Sequence, residues 1–551
     1  MAATCLVLLT AGLVTARAFP GPLPAADAAQ LAQGAGKPNI VVVMADDMRF
    51  DDLQFAPTLR RLASHGVKFH NSFSPFPLCC PARASFLTGQ LAHNHGVFWH
   101  ERPYGYGAFD DSRTLSTSLR RAGYRTGFVG KYLNRYGLDR SKVTGRPSHR
   151  YVPRGWTDWF ATFQTTGRQP GVRGDAYNYM STPFNVNGRV RNHVDRYQTN
   201  VVGSYSRRLI ERYHRRRDPF FVYVNYLAPH FGGPREPDDP RDVRDRRGRR
   251  DVVRTPARPD SVRNRFDGLI NRARGLPRGG GPAEADVSDK PGFIGRLPEP
   301  SRSERRAGRA LTRQRAQAIY VMDEQIRRTI RTLKRTGEWS NTYVVFTSDN
   351  GYYLGEHRIV QGKVRGHEPS LRVPMIIAGP GARDGTGRYD PITTVDLTRT
   401  ILDLGRAAPP MAPDGTSLLP TLRGGDQGWD RAVPIESALG TPAPRETVFQ
   451  DDDVLRSSGV RTTRYTYIRY SNGQTELYDL YTDPHQDVSA HQDPELTQIR
   501  ELLRQAWDQM YRCRGAQCQA PLPEALRAAP AENRAGTRAW LAAHERRYGY
   551  R

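Results

Sequence analysis

PNIVVVMADD, residues 38–47, places the apolar run Ile40–Met44 directly before an acidic pair. A β-branched run without alternation fits a strand buried on both faces, as in a parallel sheet. Asp46 and Asp47 then stand at the C-terminal end of that strand, the edge where open α/β sheets bind ligands. Similar runs recur at Thr126–Val129, Phe220–Val224 and Thr342–Phe346. Each has polar residues just past its end: Gly130-Lys131, Ala228-Pro229-His230 and Ser348-Asp349-Asn350-Gly351. Helix-like segments lie between them, including Ala56–His65 and Arg313–Arg335. Strands alternating with helices predict a doubly wound α/β domain, here over residues 37–430.

Two regions depart from that texture. Gly232–Arg296 is rich in Arg, Asp, Pro and Gly and reads as a long surface insertion with little regular structure. From about Val433, Arg464–Tyr470, Asn472-Gly473 and Glu476–Leu480 read as a hairpin, and Glu495–Arg512 as a helix. Residues 431–551 are therefore expected to form a smaller C-terminal α+β domain. At the other end, Cys5–Val14 followed by Ala16-Arg17-Ala18 reads as a secretory signal over residues 1–18, with a Pro/Ala-rich linker over 19–36. A buried N-terminal helix is the alternative; export is the expectation.

The chain has 551 residues, a formal net charge of +26 and 38% hydrophobic residues, enough for a real core, so wholesale disorder is excluded. No apolar stretch approaches the roughly 18 residues of a membrane span. Five cysteines in this length exclude a disulfide scaffold. The positive balance reads either as arginine-rich composition or as an anionic partner. No nucleic-acid-binding motif accompanies it, so no nucleic acid partner is expected. Cys513 and Cys518 are close enough to close a small disulfide loop if the chain is exported; two unpaired thiols are the alternative.

The segment Leu78–Gly89, LCCPARASFLTG, contains Cys79-x-Pro81-x-Arg83 followed by Leu87-Thr88-Gly89. It resembles the signature of the sulfatase family, members of the alkaline-phosphatase superfamily, in which that cysteine is oxidised to formylglycine by a dedicated generating enzyme. Ala82 stands where the family usually has serine, and Cys80 occupies the free position. The resemblance implies an alkaline-phosphatase-like mixed sheet sandwiched by helices. It also implies a metal site, with Asp46, Asp47, Asp349 and Asn350 as oxygen donors and the modified Cys79 completing the set. Four such donors from two strand ends suit a hard divalent cation, Ca²⁺, without thiolate or imidazole ligands. Asp51 and Asp52 read as helix or loop residues beside it.

By the same resemblance, Lys131 and Lys363 contact the sulfate and His230 protonates the leaving oxygen, while Arg83 orients the nucleophile. Leu133 stands where many members have a histidine. The sequences Gly130-Lys131-Tyr132-Leu133-Asn134, Cys79-Cys80, His93-Asn94-His95 and Ala285–Pro291 resemble N-acetylglucosamine-6-sulfatases and their heparan-sulfate-acting relatives. His93 and His95 are thus candidates for the missing histidine's place or for sugar contact; a helix-end pair with no catalytic part is the alternative. The expected activity is hydrolysis of a sulfated carbohydrate. An arylsulfatase acting on an aryl sulfate, a phosphonate or phosphodiester hydrolase, an inactive sulfated-glycan-binding relative, and a polyanion binder acting through Arg235–Arg296 are the competing readings.

Overall fold

A computed structural model describes residues 36–273, 275, 283–382, 385–437 and 456–549. The expected signal, and the linker up to residue 35, lie outside the described residues. Strands in chain order are β1 (Asn39–Asp46), β2 (Val67–Phe69), β3 (Ser72–Phe73), β4 (Arg125–Lys131), β5 (Asp158–Thr162), β6 (Ser181–Val186), β7 (Arg189–Val194) and β8 (Phe220–Pro229). They continue as β9 (Thr342–Ser348), β10 (Met375–Ala378), β11 (Thr386–Arg388), β12 (Ile392–Thr393), β13 (Val433–Glu436), β14 (Ser457–Arg461), β15 (Tyr465–Tyr470) and β16 (Thr475–Asp479).

Ten of these form one sheet in the order β11-β2-β10-β9-β1-β8-β4-β5-β6-β7. The central strands β9, β1, β8, β4 and β5 run parallel. Antiparallel pairings of β10 with β9 and of β6 with β5 start the two edges, so the sheet is mixed. The IVVVM run fills the middle of β1, every residue of which is buried. Alternate side chains of β1 feed two cores: Val41 and Val43 join one, Ile40, Val42 and Met44 the other. The helices Gln198–His214 and Arg302–Arg335 supply the first core. Cys79–Thr88 and Thr394–Leu404 supply the second. Buried positions on both faces explain why the strand carries no polar alternation.

The long helix starts at Arg302, well before the expected Arg313, at a capping box in which Ser301 and Glu304 serve each other's backbone amides. Among the described residues of 232–296, short helices lie at Asp260–Val262, Asp267–Arg272 and Gly292–Gly295, and the rest is largely irregular. The region is nevertheless anchored: Val253, Ala257, Val262 and Ile270 are buried. Among its described arginines, Arg258 pairs with Glu236 and Asp238, Arg263 with Asp260 at 2.6 Å, and Arg249 with Asp245 at 2.7 Å.

The expected hairpin is β15–β16, within a four-stranded antiparallel sheet of order β13-β14-β15-β16. Helix Thr497–Tyr511 follows, and a further helix, Pro530–Tyr548, returns to the main body. One apolar cluster joins Phe73, Leu91 and Tyr353 of the main body to Ile435, Val460 and Leu477 of the second sheet. No described helix is long and apolar enough to cross a membrane.

Candidate active site

Successive side chains of a strand point to opposite faces, so two neighbouring carboxylates do not normally converge. Here β1 ends at Asp46, and Asp47 takes a left-handed backbone, φ 66°. Asp tolerates that region better than most residues, and a non-glycine residue held there marks a constrained site. Beside it, β9 ends at Ser348. Asp349 Oδ1 accepts from the amides of Asp47 (3.1 Å) and Asn350 (2.9 Å), tying the two strand ends together. Ser348 Oγ adds a third tie, accepting from the Met48 amide at 2.9 Å. Carboxylate oxygens of Asp46, Asp47 and Asp349 lie within 4.8 Å of one another, all fully buried.

This concentration of charge is legible in the carboxyls. Burial and the Asp46 charge push Asp349 up, whereas Asp46 is held well below the usual range because Lys131, His230 and Arg83 outweigh its burial. Asp46 Oδ1, Asp47 Oδ2 and Asn350 Oδ1 are buried without hydrogen-bond partners. Orphaned hard oxygens around crowded carboxylates fit a divalent cation.

Cys79 opens the helix Cys79–Thr88, all ten of whose residues are buried. Pro81 is tolerated in the first turn, where its missing N–H leaves no bond unmade. Gly89, φ 72°, ends the helix. Cys79 therefore sits at the positive helix end. Burial pushes its thiol up to about 12, with Lys131 and Lys363 pulling the other way. Arg83 lies one turn on, on the same helix face. Its guanidinium donates to Asp349 Oδ2 (2.9 Å), Asn225 Oδ1 (2.8 Å) and the Lys131 carbonyl (3.1 Å).

Lys131 ends β4 and pairs with Asp46, its ammonium 4.9 Å from the centre of the Tyr177 ring. The preceding residue must be glycine: at φ 99°, a Cβ on Gly130 would lie 1.8 Å from the Asn225 carbonyl oxygen. Lys363 Nζ donates to Cys79 Sγ at 2.8 Å and pairs with Asp47. Val364 behind it has φ 89°, an outlier for a β-branched residue, and its amide donates to the Pro77 carbonyl at 3.1 Å. His230 follows β8. Its Nδ1 donates to the Phe231 carbonyl at 2.7 Å, leaving Nε2 to face Asp47 Oδ2 at 3.7 Å. Burial, opposed by Asp46 and Asp47, lowers this imidazole to about 4. The arrangement sets a nucleophile position between an acidic pocket and a row of Lys131, Lys363 and His230, suited to an anionic tetrahedral group.

The sulfatase family profile matches residues 38–407, most of the chain. The chain belongs to the sulfatase family. A second profile, the C-terminal region of N-sulphoglucosamine sulphohydrolase, matches residues 355–513. This sulfatase is 30% identical over 431 residues to an extracellular sulfatase SULF-1 homolog of Drosophila melanogaster, covering 75% of this chain but 34% of that one. It is 27% identical to the N-acetylglucosamine-6-sulfatase of Capra hircus, covering 89% and 86% of the two chains. A solved structure in complex with its substrate, D-glucosamine-2-N,6-O-disulfate, superposes with TM-score 0.63 at 20% identity, over 88% of this chain and 98% of that one. A phosphonate monoester hydrolase from Silicibacter pomeroyi superposes with TM-score 0.61 at 22% identity, over 87% and 96%. Both likenesses show the shared fold.

Asp46, Asp47, Cys79, Arg83, Lys131, His230, Asp349, Asn350 and Lys363 of this sulfatase thus come together. His93 and His95 do not join them. His93 Nδ1 bonds Glu436 at 2.8 Å and Nε2 the Cys513 carbonyl at 2.8 Å, pinning the second sheet to the main body. His95 Nε2 bonds Ser85 Oγ at 2.9 Å, and Nδ1 accepts from the Val97 amide at 3.1 Å. Both rings are engaged in packing, so neither takes the place of the absent histidine; Leu133 itself is buried in the aromatic core. Cys513 and Cys518 form a disulfide. Sequence reasoning missed Asn225 and Arg315. Asn225 is hidden within β8, and Arg315 is a long-helix residue that donates to the Asp47 carbonyl at 2.6 Å and meets Asp52 at 3.0 Å.

Proposed function

We propose that this chain is an exported sulfuric ester hydrolase that releases inorganic sulfate from a sulfated carbohydrate of the N-acetylglucosamine 6-sulfate type. The observation that carries this reading is Cys79 held between the acidic pocket and the Lys131, Lys363 and His230 row. The relatives named above supply the sugar chemistry, and the apolar run at Cys5–Val14 supplies the export signal. In this reading a generating enzyme converts Cys79 to formylglycine. Once hydrated, that aldehyde supplies one hydroxyl to attack sulfur and another whose deprotonation expels sulfate. Asp46, Asp47, Asp349 and Asn350 would hold Ca²⁺, which would make the attacking hydroxyl more acidic.

The chain's own residues do the rest. Lys131 and Lys363 neutralise the sulfate oxygens. Arg83 fixes Asp349 and the end of β4, so the donors keep their spacing as charge moves. Because Nδ1 of His230 is committed to a carbonyl, Nε2 is the atom that takes a proton when the anion binds and gives it to the leaving oxygen. Residues 431–551 act as a subdomain bracing this edge. The phosphonate monoester hydrolase likeness favours one second reading, hydrolysis of phosphonate or phosphodiester esters by the same groups.

The test has two parts. Peptide mass across Cys79, on protein from its native producer, is expected to show an aldehyde or its hydrate. Turnover of 4-nitrophenyl sulfate should then exceed turnover of bis-4-nitrophenyl phosphate and disappear in Cys79→Ala. An unmodified thiol would overturn the mechanism, and preference for the phosphodiester would favour the second reading.

A further inference from the structure

We propose that His100 contacts the sulfuryl group of the bound ester, its imidazole Nε2 donating to an oxygen carried by sulfur. This rests on the sulfate-ester reading above and adds a substrate-binding residue to it. Nε2 of His100 is buried and has no hydrogen-bond partner. A buried polar atom without a partner is uncommon and costly, and at the edge of a reactive centre it points to a group that arrives with the substrate.

The loop that carries it is held in place. The amides of Phe98 and Trp99 converge on the Tyr104 carbonyl at 3.0 and 3.4 Å, and the Tyr104 amide donates to the Glu101 carbonyl at 3.0 Å. Trp99 stacks on the His100 ring, centroids 5.8 Å apart and planes 29° from parallel. Trp99 is itself locked in an apolar cluster with Phe76, Leu78 and Val364. Leu78 directly precedes Cys79, and Val364 directly follows Lys363. The loop is therefore seated on the backbone neighbours of the nucleophile position and of its lysine. The charged groups that act on the ring are Lys363, Lys131, His230 and Asp46, the same groups that surround Cys79. A donor that feels the fields of two ammoniums complements an anionic tetrahedral oxygen better than it does a sugar hydroxyl.

Three variants separate contact from packing. His100→Ala removes ring and donor. His100→Phe keeps the stack on Trp99 and lacks the donor. His100→Gln restores an amide donor. With 4-nitrophenyl sulfate, Ala and Phe are each expected to lose about 100-fold in kcat/KM. Inhibition by inorganic sulfate should weaken about tenfold in both, and Gln should recover about tenfold of the lost rate. Wild-type values for His100→Phe, within twofold in both measurements, would overturn the proposal and leave His100 a packing residue.

Should the wild type hydrolyse no sulfate ester, the hydrolase reading fails by itself. Calorimetric titration of inorganic sulfate then decides the contact. Binding at least tenfold weaker in His100→Phe than in the wild type supports it. Equal affinity, or no binding to the wild type, overturns it.

Discussion

Arg83 shows how much of this site is held by one planar group. Nε and Nη2 engage Asp349, and Nη1 reaches Asn225 on β8 and the carbonyl of Lys131 on β4. One guanidinium thus ties together the ends of β9 and β4 and the middle of β8. Lysine at this position would keep the charge and reach one acceptor at a time. Arg83→Lys is therefore expected to fold, to lose about 100-fold in kcat/KM through misplacement of Asp349 and Lys131, and to bind Ca²⁺ about tenfold more weakly in calorimetry of chelated protein. Unchanged affinity would show that Asp349 does not depend on this clamp.

Between elements, the second sheet is joined to the main body through buried carboxylates. Glu368 accepts from Arg372 Nε and from Arg461 of β14 at 2.7 Å. Burial alone would raise its pKa, but the two arginines outweigh burial and hold it at about 2. Glu476 of β16 behaves alike: burial is outweighed by His367 and the hydroxyls of Tyr478 and Tyr470, again at about 2. Both carboxyls lie below their ordinary value of 4.5, so the stability they give is complete above about pH 4.5 and is lost as pH falls toward 2. Glu368→Gln should cost about 3 kcal/mol at pH 7, because two buried arginines lose their counter-charge, and should flatten the fall in stability below pH 4.5. Denaturant melts from pH 7 to pH 3 read both effects.

The same elements show what the sequence made legible. β1, β4, β8 and β9 announced themselves because strands buried on both faces cannot alternate, and the polar residues at their ends located most of the site. β13 and β14 did not: Pro434 interrupts one, and Ser457-Ser458-Gly459 gives the other no apolar pattern. Helix Pro530–Tyr548 escaped because its buried face, Asn533, Thr537, Trp540, His544 and Tyr548, is a stripe of polar and aromatic residues rather than an apolar one. The histidine pair at 93 and 95 misled, since spacing on one short helix says nothing about which neighbour each ring meets. His100 needed the fold, because only the Trp99 cluster brings its loop to Cys79.

For the whole molecule, the proposed cation site would tie stability to its ligand. Asp46, Asp47 and Asp349 crowd together in the folded state, so a Ca²⁺ ion bound there would relieve their repulsion only in that state and link ligand to fold. Treatment with EDTA should lower Tm by several degrees, and added Ca²⁺ should restore it; a Tm indifferent to chelation would argue that Lys131 and Lys363 alone balance the pocket. The last described helix returns to the segment after β1, where His544 meets Asp51 at 2.9 Å and Asp51 meets Arg49 at 3.0 Å.

Cys79 has no exposed surface in this fold. An oxidising enzyme that must grip the residue and its flanking Pro81 and Arg83 has no access once the sheet has closed over them. In the proposed reading, conversion of Cys79 would then be a race between two clocks, that of the generating enzyme and that of folding, with an outcome fixed for the life of each molecule. Folded, unmodified protein should resist conversion by a generating enzyme in vitro, whereas a peptide spanning Leu78–Gly89 is converted; mass spectrometry of both reads the result. A population made with too little of that enzyme would contain two permanent classes, fully competent and fully inert, indistinguishable by shape.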